Sequence, residues 1–160
     1  MKKRDRMERD RAAGKAELLC EALPWINKMS GKTFVIKYGG SAMEDPELCR
    51  QVVADIEMLK LMGVRIVLVH GGGKAINAML KRLDVPVKFK DGLRVTDDET
   101  MEAVQEVLVG HVNQQLVWAL NEYGHNAVGI SGADGKTLKA EPVDPDLGRV
   151  GRIREVDTTH

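Results

Sequence analysis

The chain has 160 residues, which is enough for one ordinary domain with a hydrophobic core and too short to predict two independent ones. Its 24 basic and 24 acidic side chains cancel, so no overall field draws it to nucleic acid or to an anionic membrane. It lacks both the apolar core of a secretory signal and a run long enough to span a bilayer, which predicts a soluble, cytoplasmic protein. Cys20 and Cys49 have no metal or redox spacing, which favours reduced thiols and no metal site, although their own role stays open.

The first predicted element is a helix. Apolar side chains between residues 8 and 29 are spaced for one helical face, and Pro24 interrupts them, which predicts a kink. Two interpretations of this face remain open from periodicity alone. The helix could fold back on its own domain, or it could pack against another subunit.

Strands and helices then alternate. Residues 33–38 and 64–69 read as buried strands, and residues 73–83 read as a helix after the second strand. Between the two strands, the residues at 45–47 provide an N-cap, a first-turn proline and an acid for a helix that should end near Gly63. This order predicts an α/β fold with a parallel sheet and right-handed crossovers.

Two hairpins and a long helix follow. Residues 87–95 alternate around an Asp-Gly pair, and residues 137–154 predict a second, surface hairpin. Thr96 and Glu99 form a capping-box pattern for a helix that runs to Tyr123, with a bend at Gly110. After it, residues 126–130 are predicted to form a third parallel strand.

Two glycine clusters carry the first functional prediction. Gly40 follows the first strand, and Gly72 and Gly73 follow the second, each before a helical pattern. A strand that ends in glycines lets the backbone approach a ligand, while the next helix offers unpaired amides and its positive dipole end. Since Lys37 adds a positive charge, we expect a carboxylate or phosphoryl site between the strand ends.

Other phosphate and hydrolase motifs are incomplete. A dinucleotide fingerprint would need glycine where Ile76 stands, and a Walker loop would need it at Ile130. The segment around Ser131 lacks the last glycine of a nucleophile elbow. The four histidines show no metal-binding spacing. These readings are therefore rejected.

Three ordered motifs resemble those of the acetylglutamate kinases, within the wider amino acid kinase family. They are I-K-Y-G-G-S-A-M at 36–43, V-H-G-G-G at 69–73 and K-D-G-L-R-V-T at 90–96. The resemblance implies a three-layer open sandwich with a mainly parallel sheet, of which this chain holds the N-terminal lobe. It also implies phosphoryl transfer from ATP, with Mg²⁺, to the side-chain carboxylate of N-acetyl-L-glutamate in arginine biosynthesis.

The resemblance also assigns roles to residues. Lys37 would stabilise the phosphoryl group in flight, and Gly40, Gly72 and Gly73 would direct amides at the reacting carboxylate and phosphate. Arg94 would bind the α-carboxylate of the substrate through a bidentate guanidinium contact, and its hairpin would act as a lid. The alternatives are a solvated lysine, glycines needed only for tight turns, and a free surface arginine.

The resemblance divides the chain into an N-terminal oligomerisation helix at 1–30 and a lobe at 31–160. In arginine-inhibited members such helices interlace dimers into a hexamer, which favours the intermolecular alternative, and the long helix corresponds to the central dimer contact. Family members are nearly twice this length, so the nucleotide-binding lobe is expected to be missing here. The competing hypothesis is a noncatalytic lobe that binds acetylglutamate or pairs with full-length kinase subunits.

Overall fold

The computed structural model describes residues 2–122, 124 and 126–159. They form two compact units. The first comprises the residues up to Lys37 together with Arg50–Val69, and the second comprises Tyr38–Cys49 together with the residues from His70 onward. In the part of the chain that the structure describes, no helix is both long and apolar enough to cross a bilayer.

The first unit begins with helix α1 (Lys2–Met29), which is longer than predicted. The helix continues past Pro24 to Met29, so the proline does not end it although its ring removes one backbone donor. Several large apolar side chains near its C-terminal end are more than half exposed: Leu18, Leu19, Leu23 and Trp25. The first unit therefore leaves an apolar surface on this helix uncovered.

Strands β1 (Thr33–Tyr38) and β2 (Arg65–His70) pair with each other, and helix α2 (Pro46–Leu61) connects them. The Arg65 amide donates to the Lys32 carbonyl at 2.8 Å where the strands begin. The Gly71 amide donates to the Tyr38 carbonyl at 3.3 Å where they end. Because the beginnings of the two strands are bonded to each other and so are their ends, the strands run parallel. This confirms the predicted α/β class.

Helix α2 has the predicted boundaries. The carboxylate of Asp45 accepts from the Glu47 amide at 2.8 Å, which is the expected N-cap, and Pro46 occupies the first helical position. Gly63 ends the segment with φ +82°. The core of the first unit comes from α2 and the residue before β2, namely Val53, Ile56 and Val64.

The second unit is built on helices. Its main elements are α3 (Gly73–Arg82), β3 (Phe89–Lys90), β4 (Leu93–Arg94), α4 (Asp98–Gln105), a π-helix (Glu106–Val112) and α5 (Asn113–Glu122). Helix α3 packs against α4 and the π-helix, and the buried side chains there are Ile76, Leu80, Ala103, Val107, Val112 and Leu116. The predicted long helix is thus confirmed, and Gly110, where a bend was predicted, lies in its π-helical segment. Tyr123, the predicted last residue, lies outside the described residues.

The N-cap of the long helix differs from the prediction by one residue. Asp97, rather than Thr96, accepts a side-chain hydrogen bond, from the Thr100 amide at 2.9 Å. Thr96 is held by other contacts, since its amide donates to the Leu147 carbonyl and its hydroxyl donates to the Arg94 carbonyl. The predicted capping box was therefore wrong, because tertiary contacts hold Thr96 in place of the helix cap.

The predicted third strand does not form. Residues 126–130 are irregular, and the Asn121 side chain accepts from the Ala127 amide at 2.7 Å and donates to its carbonyl at 3.3 Å. A strand needs a neighbouring strand to accept its backbone bonds, and none of the described strands pairs with this segment. Val128 and Ile130 remain 82% and 69% exposed.

Both predicted hairpins are confirmed. Strands β3 and β4 pair antiparallel across Asp91 and Gly92, which both have positive φ, as a type I′ turn requires. Strands β5 (Leu138–Pro142) and β6 (Gly151–Val156) form the second hairpin, which is exposed along both strands. Between β5 and β6, a short 3₁₀ turn at Pro145–Leu147 returns to the first hairpin.

Candidate functional site

The second unit contains a cavity of about 450 Å³. Its lining residues come from the ends of β1 and β2, the start of α3, and the long helix: Tyr38, Gly40, Met43, Glu44, Cys49, Gly72, Gly73, Lys74, Ala75, His111, Val112, Gln115 and Leu116. The sequence analysis placed three glycines and one lysine at the strand ends. The three glycines, Gly40, Gly72 and Gly73, line this one cavity.

Gly40 begins a 3₁₀ turn (Gly40–Met43) on one side of the cavity. Its φ of +66° lies in the left-handed region, which favours glycine. The Tyr38 hydroxyl donates to the Ala42 carbonyl at 2.8 Å and so fastens this turn. Burial, together with the neighbouring Cys49 thiol, raises the pKa of Tyr38 above its ordinary value, so the hydroxyl stays a neutral donor.

Gly72 and Gly73 form the opposite side, where α3 begins. The Ile76 amide donates to the Gly72 carbonyl at 2.9 Å as the first helical bond, so the preceding amides have no acceptor within the helix. A Cβ on Gly73 would meet no atom within 4 Å. The positive end of the helix therefore begins at a residue with open space beside it, which suits an anion.

Gly72 is required for packing. A Cβ there would lie 2.7 Å from Leu108 Cδ2 and 3.4 Å from Val112 Cγ2, both on the π-helix. Its φ of 178° is extended and suits any residue. Close approach to the long helix, rather than turn geometry, thus accounts for this glycine.

The long helix supplies a cavity wall that the sequence analysis missed. His111 and Gln115 both line the cavity, and the sequence analysis assigned neither of them to the site. Their i, i+4 spacing puts them on one helical face, and the π-helix at His111 is a distortion that is frequent at functional sites. The spacing was visible in the sequence, but nothing there showed which face meets the glycines.

Lys74 is a second missed residue, directly after the glycine cluster. Its Nζ lies 2.6 Å from Glu44 Oε2 across the cavity, and both side chains are well exposed. Exposed ion pairs contribute little stability. An anionic ligand that replaced Glu44 as the partner of the Lys74 ammonium would therefore cost the protein little stability.

Lys37 lies in the first unit, where it is exposed at the end of β1. It directly precedes Tyr38 in the chain. Its predicted charge-stabilising role stays a prediction.

Arg94 is held outside the cavity lining by two partners. Its Nη2 donates to Asn77 Oδ1 at 2.6 Å, and its guanidinium lies 4.9 Å from the centroid of the Phe89 ring, within cation–π range. Its Nη1 is buried without a hydrogen-bond acceptor in the described part of the chain. A buried unpaired donor costs free energy, and a ligand oxygen that reached this nitrogen would relieve that cost.

Helix α3 connects the glycine cluster with Arg94. Gly73 opens the helix, and Asn77, which accepts from Arg94, comes four residues later. Four residues of α-helix correspond to about 6 Å along the axis. The residue that orients Arg94 is therefore about one helical turn from Gly73.

The model of the amino acid kinase family matches residues 32–160. An acetylglutamate kinase from Thermoanaerobacter pseudethanolicus is 53% identical over 145 residues, covering 89% of this chain and 48% of that protein. A chloroplastic acetylglutamate kinase from Arabidopsis thaliana is also 53% identical over 145 residues, with 89% and 42% covered. The chain thus spans about half the length of the curated relatives that it matches.

A solved structure shares the fold. The N-acetylglutamate synthase of Neisseria gonorrhoeae, crystallised with coenzyme A and N-acetyl-glutamate, superposes with a TM-score of 0.69 at 29% identity. The match covers 88% of this chain and 32% of the synthase chain.

Proposed function

The chain belongs to the amino acid kinase family, and on this premise we propose that it carries the acceptor-binding half of an acetylglutamate kinase. The reaction is transfer of the terminal phosphoryl group of ATP, with Mg²⁺, to the side-chain carboxylate of N-acetyl-L-glutamate, a step of arginine biosynthesis. The two reported relatives that bear this name are each 53% identical to it. Cytoplasmic location and homo-oligomers, including a hexamer joined through α1, belong to the same proposal.

The observation that carries the substrate assignment is that two groups suited to an anion lie at α3, namely the first-turn amides at Gly73 and the guanidinium of Arg94 on β4, which donates to Asn77. N-acetylglutamate has two carboxylates separated by three carbon atoms and no positive charge. The free amides at Gly73 suit one carboxylate, and the orphaned Nη1 of Arg94 suits the other. A ligand with one carboxylate would leave one of these sites unused.

Phosphoryl transfer needs positioning and charge neutralisation more than covalent help from the protein. In this proposal the amides at Gly40, Gly72 and Gly73 hold the reacting carboxylate and the transferred phosphate. Lys37 neutralises charge that develops on the phosphoryl group. Arg94 fixes the α-carboxylate, with Leu93 and Val95 of its hairpin offering apolar contact.

Two measurements test the proposal. Incubation of the purified chain with MgATP, N-acetylglutamate and hydroxylamine would trap an acyl phosphate as the hydroxamate, and its absence removes the claim that this polypeptide is itself a kinase. Calorimetry with N-acetylglutamate then tests the acceptor site. N-acetylglutamine, which lacks the side-chain charge, is the matched ligand and should bind at least about tenfold more weakly; equal binding would contradict the assignment.

A glycine substitution tests the proposed carboxylate contact. Changing Gly73 to alanine should weaken N-acetylglutamate binding by about tenfold or more, because the new methyl would occupy the space the ligand needs. Folding should not suffer, since that Cβ meets no protein atom within 4 Å. The control is Gly71→Ala, which also meets nothing within 4 Å but does not line the cavity. Calorimetry should find wild-type affinity for the control, and a loss common to both variants would speak against a specific contact.

The exposed apolar surface of α1 favours a second candidate, a noncatalytic lobe that pairs with longer kinase subunits. Leu18 and Trp25 are 70% and 64% exposed on this helix, and exposed apolar clusters mark interaction surfaces. Co-purification with a full-length acetylglutamate kinase, lost on changing Leu18 and Leu19 to glutamine, would support this role. Hydroxamate formation by the chain alone would favour the first candidate.

A further inference from the structure

The hairpin that carries Arg94 is tied to a distant part of the second unit. The turn between β5 and β6 supplies residues 144–149, and these contact the hairpin and the start of α4 at three points. The hairpin is only two residues long on each strand. Since short isolated hairpins are marginal in water, its conformation depends on such outside contacts.

The first point is an ion cluster at Lys90. Its Nζ lies 2.9 Å from Asp144 Oδ2 and 2.8 Å from Asp146 Oδ2. The other oxygen of Asp144 accepts from the Asp146 amide at 2.9 Å, so the 3₁₀ turn holds the Asp144 carboxylate in place. The Lys90 ammonium of the hairpin is therefore paired with a carboxylate that the turn has already positioned.

The second and third points lie at the end of the hairpin. The Thr96 amide donates to the Leu147 carbonyl at 3.1 Å, and the Arg149 amide donates to the Thr96 carbonyl at 2.7 Å. Arg149 Nε also lies 2.6 Å from Asp98 Oδ1 at the first turn of α4. Residues 144–149 therefore contact the hairpin at Lys90 on β3 and at Thr96, just after the strand β4 that presents Arg94.

We propose that residues 144–149 form a latch that sets the hairpin so that Arg94 is held ready for its ligand, with Lys90 as the positioning residue. The inference rests on the proposed binding of N-acetylglutamate for its functional part. Among the described residues, the guanidinium of Arg94 contacts the side chains of Asn77 and Phe89, and Phe89 itself is on the hairpin. Motion of the hairpin would therefore move the guanidinium and its ring together, away from Asn77.

The Lys90–Asp144 ion pair of the latch stays charged over a wide pH range. Hydrogen bonds from Lys90 and the Asp146 amide lower the pKa of Asp144, and both carboxylates raise the pKa of Lys90. The contribution of Asp144 is complete above its ordinary pKa and is lost as the pH falls through the lowered value. That of Lys90 is complete below its ordinary pKa and is lost as the pH rises through the raised value. The Lys90–Asp144 pair is therefore fully charged at neutral pH, between the ordinary pKa values of its two groups.

The test compares three variants with the wild-type chain at low salt, by hydrogen exchange of the Val95 amide and by calorimetry with N-acetylglutamate. The Val95 amide reports on the hairpin because it donates to the Lys88 carbonyl at 3.0 Å. Lys90→Met should speed exchange and weaken binding, each about fivefold. Lys90→Arg should restore both, since it keeps the charge. Lys139→Met, which removes the exposed ion pair of Lys139 with Glu155 on the other hairpin, should change neither.

The outcomes separate the two proposals. If the wild-type chain binds N-acetylglutamate and Lys90→Met binds it equally well, the latch is overturned while the proposed function stands. If the wild-type chain does not bind, the proposed function fails, and unchanged Val95 exchange in Lys90→Met would overturn the latch independently. A loss in Lys90→Met that Lys90→Arg does not restore would also contradict an ionic positioning role.

Discussion

Replacing Arg94 with alanine should weaken N-acetyl-L-glutamate binding by about 100-fold, which corresponds to about 3 kcal/mol. The variant removes the buried Nη1, which has no acceptor in the described part of the chain, and with it the proposed contact to the α-carboxylate. The fold should tolerate the change, because the lost partners are one amide oxygen and one aromatic face on the surface of the unit. Calorimetry on the purified chain measures the effect.

Two further variants make this result specific. Arg94→Lys should recover little affinity, because an ammonium cannot stack on Phe89 while also presenting parallel donors to a carboxylate. Arg154→Ala removes an arginine that pairs with Glu141 on the exposed β5–β6 hairpin, and it should bind like the wild-type chain. Wild-type affinity in Arg94→Ala would exclude the arginine from the site, and equal losses in both alanine variants would point to a general charge effect.

The glycines of the site could be predicted because their signal is local. Gly40 follows β1 and Gly73 opens α3, and strand ends with following helices are read directly from hydrophobic periodicity. Their meeting at one cavity follows from parallel pairing of β1 and β2, which places equivalent strand ends side by side. The meeting of these glycines at one cavity was therefore accessible from the sequence.

The remaining parts depend on tertiary contacts. His111 and Gln115 reach the cavity because Gly72 allows the π-helix to pack closely, and periodicity does not tell which helical face meets which loop. The partner of Arg94, Asn77, lies 17 positions earlier and carries no local signal. The same holds for Thr96, which does not cap the helix because its amide donates to the Leu147 carbonyl of a distant turn.

The missing third strand has a related cause. Residues 126–130 have strand-like composition, but strand formation requires a neighbour as well as a pattern. Here the Asn121 side chain takes both backbone groups of Ala127. Composition predicts which segments can pair, whereas pairing itself depends on the strands available.

The second large effect is expected on stability, at Gly148, where the latch meets Thr96. Changing Gly148 to alanine should lower the free energy of unfolding by about 3 kcal/mol. Its φ is +65°, and a Cβ would lie 2.2 Å from the Thr96 carbonyl oxygen, a backbone atom that cannot move aside cheaply. Urea denaturation gives the loss as a shift of the midpoint at constant slope.

Two glycines of the same unit separate strain from collision. Gly92 has φ +79° but open space around its Cβ, so Gly92→Ala should cost only the left-handed strain, about 1 to 2 kcal/mol. Gly110 has neither positive φ nor a neighbour within 4 Å, so Gly110→Ala should be neutral or stabilising by up to about 1 kcal/mol. Because strain is common to Gly92 and Gly148, the difference between their losses measures the collision with Thr96. If Gly148→Ala and Gly92→Ala lower the free energy of unfolding equally, Gly148 is not in close contact with Thr96, and the latch lacks a contact that it requires.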